Sequence, residues 1–119
     1  MNTKARGIEG ENIAARFLEA SGYEILARNY RSRFGEIDII ALRDSFVIFC
    51  EVKRWSSLGM DSIEHAVGRE KRRRIIETAK IFLDRNRQYN CMHIRFDVIL
   101  IGRDPADIDH LESAFMERL

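Results

Sequence analysis

The sequence predicts an α/β fold, a mixed central sheet flanked by helices, on three observations. Two runs of β-branched and aromatic residues within 35–55 flank the turn-forming Asp44-Ser45, the pattern of a β-hairpin with a short loop. Apolar residues recur at helical spacing over residues 3–21 and again from Asp61 to about Asn86. A third apolar run, His93 to Ile101, follows the second helix. The resulting order α, β, β, β, α, β suits a mixed sheet between helical layers.

The first helix carries Ile8, Ile13, Ala14, Ala15, Phe17 and Leu18 as its apolar stripe and ends at Ser21-Gly22, glycine being the usual residue past a helix C-terminus. Tyr23 to Tyr30 reads as the first strand, and Arg28, Arg31 and Arg33 cluster ahead of Gly35, where they either line a phosphate-facing cleft or form a solvated connection. After the hairpin, residues 56–60 read as a loop, and Asp61-Ser62 starts the second helix with Ile75, Ile76, Ala79, Phe82 and Leu83 inward. Arg69, Lys71, Arg72, Arg73 and Arg74 crowd that helix with positive charge; a cluster this dense wraps round the helix, so only some members can face one ligand, and a solvated face suits any single member equally well. Asp97 is an acid inside the last strand, where pairing with Arg95 or a neighbouring strand gives it a structural role. Residues 108–115 fit a short strand or a helical turn equally. His65, His93 and His110 show no ligand spacing among themselves.

Composition bounds the function more loosely. A chain of 119 residues, 45% apolar and 33% charged with one proline, reads as one compact domain over 1–119, able to bury a core without disulfides or a structural metal. The first residues, Met1 to Arg6, lead into no apolar segment and no run approaches a membrane span, so a cytoplasmic location is expected. Cys50 and Cys91 lack C-x-x-C spacing and suggest neither a disulfide framework nor a zinc site. The net charge of +1 does not announce a nucleic-acid binder, although arginine outnumbers lysine sixteen to four. Guanidinium groups suit bidentate phosphate contacts, but genomic base composition also produces arginine-rich chains.

The hairpin carries the chemistry. With Asp44-Ser45 as the loop, Arg43 faces Phe46, and the same register sets Asp38 opposite Glu51 and Glu36 opposite Lys53, all four on one face. Directly opposed residues lie about 4.5 to 5.5 Å apart at Cβ. Two carboxylates at that separation repel, so one is protonated or a cation lies between them. A slip of one residue would send Glu51 to the other face, so this reading depends on the turn. The plain alternative is a solvated hairpin face with an ordinary Glu36 to Lys53 ion pair.

Asp38 followed by Glu51-Val52-Lys53 resembles the D...E-x-K signature of the restriction-endonuclease-like, or PD-(D/E)xK, nuclease superfamily. Gly7, Gly10-Glu11, Gly35-Glu36-Ile37-Asp38, Phe49 to Lys53, Lys71 and Arg95 to Val98, in that order, are similar to the YraN family of small bacterial proteins, related to archaeal Holliday-junction resolvases. The resemblance implies a restriction-endonuclease-like core and a metal-dependent endonuclease hydrolysing DNA phosphodiester bonds, with branched or recombining DNA among its substrates and a homodimer to pair two sites.

It further implies that Asp38, Glu51 and the Val52 carbonyl hold Mg²⁺, with Mn²⁺ as a substitute. Glu11 would point from the first helix into the metal site, Lys53 would act on the reacting water or phosphate without being a ligand, and Glu36 would tether Lys53. Lys71 is the basic-helix residue that matches the motif, with Arg69 and Arg72 as further nucleic-acid contacts. Family members usually carry arginine where this chain has Trp55, so Arg54 would compensate or Trp55 would stack on a base. From a different class, the alternative is a non-catalytic module on the same fold that binds nucleic acid or a partner.

Overall fold

The computed structural model describes residues 3–54, 67–104 and 106–116, with side chains from residue 8 onward. Helix α1 (Thr3–Ala20) leads into strands β1 (Glu24–Arg31), β2 (Glu36–Arg43) and β3 (Phe46–Arg54); helix α2 (Arg69–Arg85) and a 3-10 turn (Arg87–Tyr89) then precede β4 (His93–Ile101) and β5 (Ile108–Phe115). The strands form one five-stranded sheet in chain order. Only β3 and β4 pair in parallel, and all other neighbours are antiparallel. A parallel neighbour requires a crossover, and the chain between these two strands contains α2.

The sheet separates two apolar cores because side chains alternate along each strand. Ile13, Ala14 and Leu18 of α1 pack on Ile39, Ile48, Cys50, Ile99 and Ile101. On the opposite face Ile75, Ala79 and Phe82 of α2 meet Ile40, Val47, Phe49, Phe96 and Val98. Cys50 is buried as expected of a small core residue. Ile8, assigned to the buried stripe from its spacing, is 51% exposed. It lies beyond the part of α1 that contributes to the core, and helical spacing cannot tell how far along a helix the sheet extends.

The two-residue turn is as expected: Arg43 faces Phe46 and the ladder runs in that register to Ile39 and Cys50. Asp44 takes φ +54°, a left-handed conformation that aspartate tolerates better than most residues. The second helix departs from expectation. Among the described residues it begins at Arg69, because Val67 is buried and Gly68 is an extended N-cap with φ −70° and ψ 172°. The helical bonding starts from the Gly68 carbonyl, which accepts the Arg72 N–H at 2.9 Å. A continuous helix from Asp61 is thereby excluded at Val67-Gly68; positions 61–66 lie outside the described residues.

Residues 108–115 form a strand whose pairing with β4 shifts between Phe96 and Val98. Ser113 has φ +51° there and donates its N–H to Asp97 Oδ1 at 3.0 Å, so the bulge is satisfied by a side chain. An interrupted alternation explains why the sequence fits strand and helix equally. Asp97 is fully buried and also accepts hydrogen bonds from Arg95 Nε at 2.9 Å and His110 Nε2 at 2.7 Å, while Arg95 Nη2 reaches the Tyr23 hydroxyl at 2.6 Å. Burial alone would raise the Asp97 pKa, but the bonds from His110, Arg95 and Ser113 outweigh it and hold the carboxyl below its ordinary value. Asp97→Ala should destabilise the protein by about 3–5 kcal/mol, since it leaves a largely buried guanidinium without its counter-charge. Urea unfolding measures this, and a loss below about 1 kcal/mol would be that of an ordinary exposed pair.

Candidate functional site

Asp38 and Glu51 meet where the hairpin ladder ends. The pairing stops at Ile39 and Cys50, one position short of the two acids, and there Asp38 Oδ2 accepts the Val52 N–H at 2.8 Å. A side chain thus replaces a main-chain partner, and the Asp38 carboxyl lies along β3 beside Glu51. Glu51 alternates with Phe49 on the face that α2 covers and is only 5% exposed.

The electrostatics follow from that burial. The Asp38 charge bears directly on Glu51, and two such carboxylates in a shielded position favour a proton on one of them. Burial first, then the neighbouring Asp38 charge, pushes the Glu51 pKa up to about 8, against the opposing pull of Lys71. Asp38 is raised as well, chiefly by burial, although the Val52 N–H and Lys71 favour its charged form. Nζ of Lys71, reaching down from α2, forms an ion pair with Glu51 Oε1.

Glu11 approaches from α1. Its pKa is raised by burial and by the Asp38 charge, while the Asn29 side chain and Arg28 oppose the shift. Its Oε1 is buried without a hydrogen-bond partner among the described residues. Gly10 explains how α1 comes so near: a Cβ there would lie 3.3 Å from Arg54 Cγ, so the absence of a side chain lets the end of β3 lie against the helix.

The remaining expected residues divide. Lys53 follows Glu51 at the alternation that keeps both on one face, and it has no ion-pair partner among the described residues. Glu36 pairs with Arg31 at 2.9 Å, not with Lys53. Arg54 folds back toward Glu9, with Nη1 at 3.6 Å from the carboxylate. Arg72 donates to the Val67 carbonyl at 2.8 Å and lies over the Phe115 ring. Arg73 and Arg74 share Glu70 at 2.6 and 3.4 Å, and Arg69 is exposed at the start of α2. Trp55 and the loop at 56–60 lie outside the described residues.

Sequence comparison identifies the lineage. Residues 10–101 match the family described as "Uncharacterised protein family UPF0102". The chain belongs to the UPF0102 family. A UPF0102 protein of Treponema pallidum (strain Nichols) is 45% identical over 119 residues, covering 96% of this chain and 94% of its own. A UPF0102 protein of Natranaerobius thermophilus is 44% identical over 119 residues, covering 97% of this chain and all of its own. One of Mesorhizobium japonicum is 46% identical over 115 residues, covering 95% of this chain and 88% of its own. All the acids of this UPF0102 site, from Glu11 to Glu51, fall inside the matched segment, as do Lys53 and Lys71.

The donors suit a hard divalent cation, because carboxylate oxygens are the ligands such ions prefer. An acid pair whose charges oppose each other, with an ammonium group on one of them, shows where positive charge is favoured. The orphaned Glu11 oxygen is a further donor of the same type. Among the described residues, no three His, Cys, Asp or Glu side chains are gathered round a single metal-sized position; Asp38 and Glu51 are a two-carboxylate pair, and the Glu11 charge interacts with Asp38 from α1.

Proposed function

We propose that this protein is a metal-dependent endonuclease with a restriction-endonuclease-like core, acting on DNA phosphodiester bonds, branched structures among them. The observation that carries the reading is the pairing of the part-buried Asp38, held by the Val52 N–H, with the buried Glu51 at the point where β2 and β3 part, followed on the same face by Lys53. Asp38, Glu51 and the Val52 carbonyl would hold Mg²⁺ or Mn²⁺, with Glu11 as an additional oxygen donor. Such an ion, when bound, polarises the scissile phosphate and lowers the pKa of a bound water.

The protein's own groups then have distinct tasks. Asp38 is held by the Val52 N–H, which leaves its other oxygen free of that bond. Lys71 favours the ionised form of Glu51 against the burial and the Asp38 charge that raise its pKa to about 8, and a bound cation would favour that form further. Lys53 places a positive charge at the same face without competing for a ligand position, suited to the charge that develops on phosphorus-bound oxygens.

The Lys71 to Glu51 ion pair also favours a second reading, a non-catalytic binding module whose acids are neutralised internally. Cleavage separates the two. Incubation of linear, flapped, single-stranded and four-way-junction DNA with Mg²⁺ or Mn²⁺ should give cleavage products with the wild-type protein and none with Glu51→Gln. Absence of cutting on every substrate, or equal cutting by both proteins, would leave the binding module.

A further inference from the structure

We infer that the cleft between the β1 to β2 turn and the second half of α2 is a subsite for the phosphate backbone of a nucleic-acid strand. It is a cavity of about 600 Å³ lined by Ser32, Arg33, Lys80, Ile81, Asp84 and Arg85; Lys80 is paired with Glu77 at 3.4 Å, which leaves Arg33 and Arg85 as the cations of the proposed subsite. Most arginines near the acid pair are already neutralised, Arg31 by Glu36 and Arg73 by Glu70. Arg33 and Arg85 differ, having no acidic partner among the described residues. The one carboxylate in the lining, Asp84, has a cationic partner of its own in Arg87, 3.9 Å away.

The rim is held in place before any ligand arrives. The turn closes through the Ser32 N–H to the Gly35 carbonyl at 2.8 Å, and the Ser32 and Thr78 hydroxyls bond at 2.7 Å. Gly35 admits α2 to this contact, since a Cβ there would lie 3.1 Å from Arg74 Cβ. The Arg33 guanidinium lies over the Phe34 ring, 4.9 Å from its centre, a contact to a π face that uses none of its N–H donors in an ion pair. Preorganised guanidinium forks in a concave site match phosphate geometry.

Position along α2 identifies the polymer. Lys71, Thr78 and Arg85 recur at seven-residue intervals in α2, which keeps them near one stripe of a helix. At about 1.5 Å rise per residue, Thr78 lies roughly 10 Å and Arg85 roughly 21 Å along the axis from the lysine that holds Glu51. A duplex strand advances about 3.4 Å per phosphate, so the cleft lies some three to six nucleotides from the acid pair. That placement rests on the nuclease reading; the anion subsite itself does not.

The test is binding without metal. Fluorescence anisotropy in EDTA, at several salt concentrations, would follow a labelled duplex in DNA and in RNA form with wild type, Arg33→Ala, Arg85→Ala and the double variant. Each single change should weaken binding and reduce the slope of log affinity against log salt by about one, the double change by about two. Arg16→Ala, exposed on α1, should leave the slope unchanged, and thermal melts would show that all variants fold. Wild-type binding with unaltered slopes in the cleft variants overturns the subsite while leaving cleavage to be judged separately. Absence of cleavage by the wild-type protein together with the expected slopes overturns the nuclease reading and leaves the subsite standing; no binding by the wild-type protein overturns the subsite outright.

Discussion

In metal-free buffer near pH 8, Glu51→Gln should melt at a higher temperature than the wild-type protein, and the difference should disappear in acid. Glu51 is raised from an ordinary 4.5 to about 8 by burial and by the Asp38 charge. Below 4.5 the residue is protonated in both folded and unfolded chains, so it gives no pH dependence. Between 4.5 and about 8 the unfolded chain releases the proton that the folded chain retains, and stability falls as pH rises across that window. Glutamine keeps a donor toward Asp38 and carries no charge to desolvate. At about 1.4 kcal/mol per pH unit, less what the lost Lys71 ion pair contributed, the net gain should be on the order of 1–3 kcal/mol.

A divalent cation should reverse the wild-type penalty, because it offsets the repulsion between the two carboxylates that otherwise keeps a proton on Glu51. Mn²⁺ should therefore raise the wild-type melting temperature by mass action, more at pH 8 than in acid, since ligands must be deprotonated to bind. Asp38→Asn and Glu51→Gln should show little of this increment. Equal shifts in all three proteins would place the cation elsewhere, and a wild-type stability that does not fall between pH 4.5 and 8 would mean that Glu51 ionises normally.

The pairing of the two acids is legible in the sequence because it follows from period-two alternation counted from a two-residue turn, and the ladder keeps that count as far as Ile39 and Cys50. What the count cannot supply is the break just beyond, where Asp38 leaves the ladder for the Val52 N–H. Likewise the density of charge at Arg69 to Arg74 is plain, but its allocation is not. Lys71 goes to Glu51, Arg72 to the Val67 carbonyl, and Arg73 and Arg74 to Glu70, partners set by how α2 lies on the sheet. Two guanidiniums without an acidic partner among the described residues, Arg33 and Arg85, are far apart in sequence and joined only by tertiary packing. Val67-Gly68 misleads for a local reason: helical periodicity continues through a valine and a glycine that the fold uses as core and N-cap. Asp97 is readable as a structural acid, and the bulge it satisfies is what hides β5.

Two lysines flank the acid pair, and they make opposite predictions. Lys71 neutralises Glu51 directly, so Lys71→Ala should push the Glu51 pKa higher still and shift the pH profile of any activity upward, with metal stabilisation altered in parallel. Lys53 has no such partner among the described residues and shares a face with Glu51. Lys53→Ala should therefore lower cleavage by about 10² to 10³, the loss expected when one preorganised donor to a developing oxyanion is removed, while the Mn²⁺-induced rise in melting temperature and the affinity for DNA stay close to wild type. Single-turnover cleavage, thermal shift and anisotropy on the same preparations separate these effects. If Lys53→Ala cuts as well as wild type and Lys71→Ala loses cleavage with its pH profile unmoved, the reacting phosphate is served from α2, and the assignment of Lys53 fails.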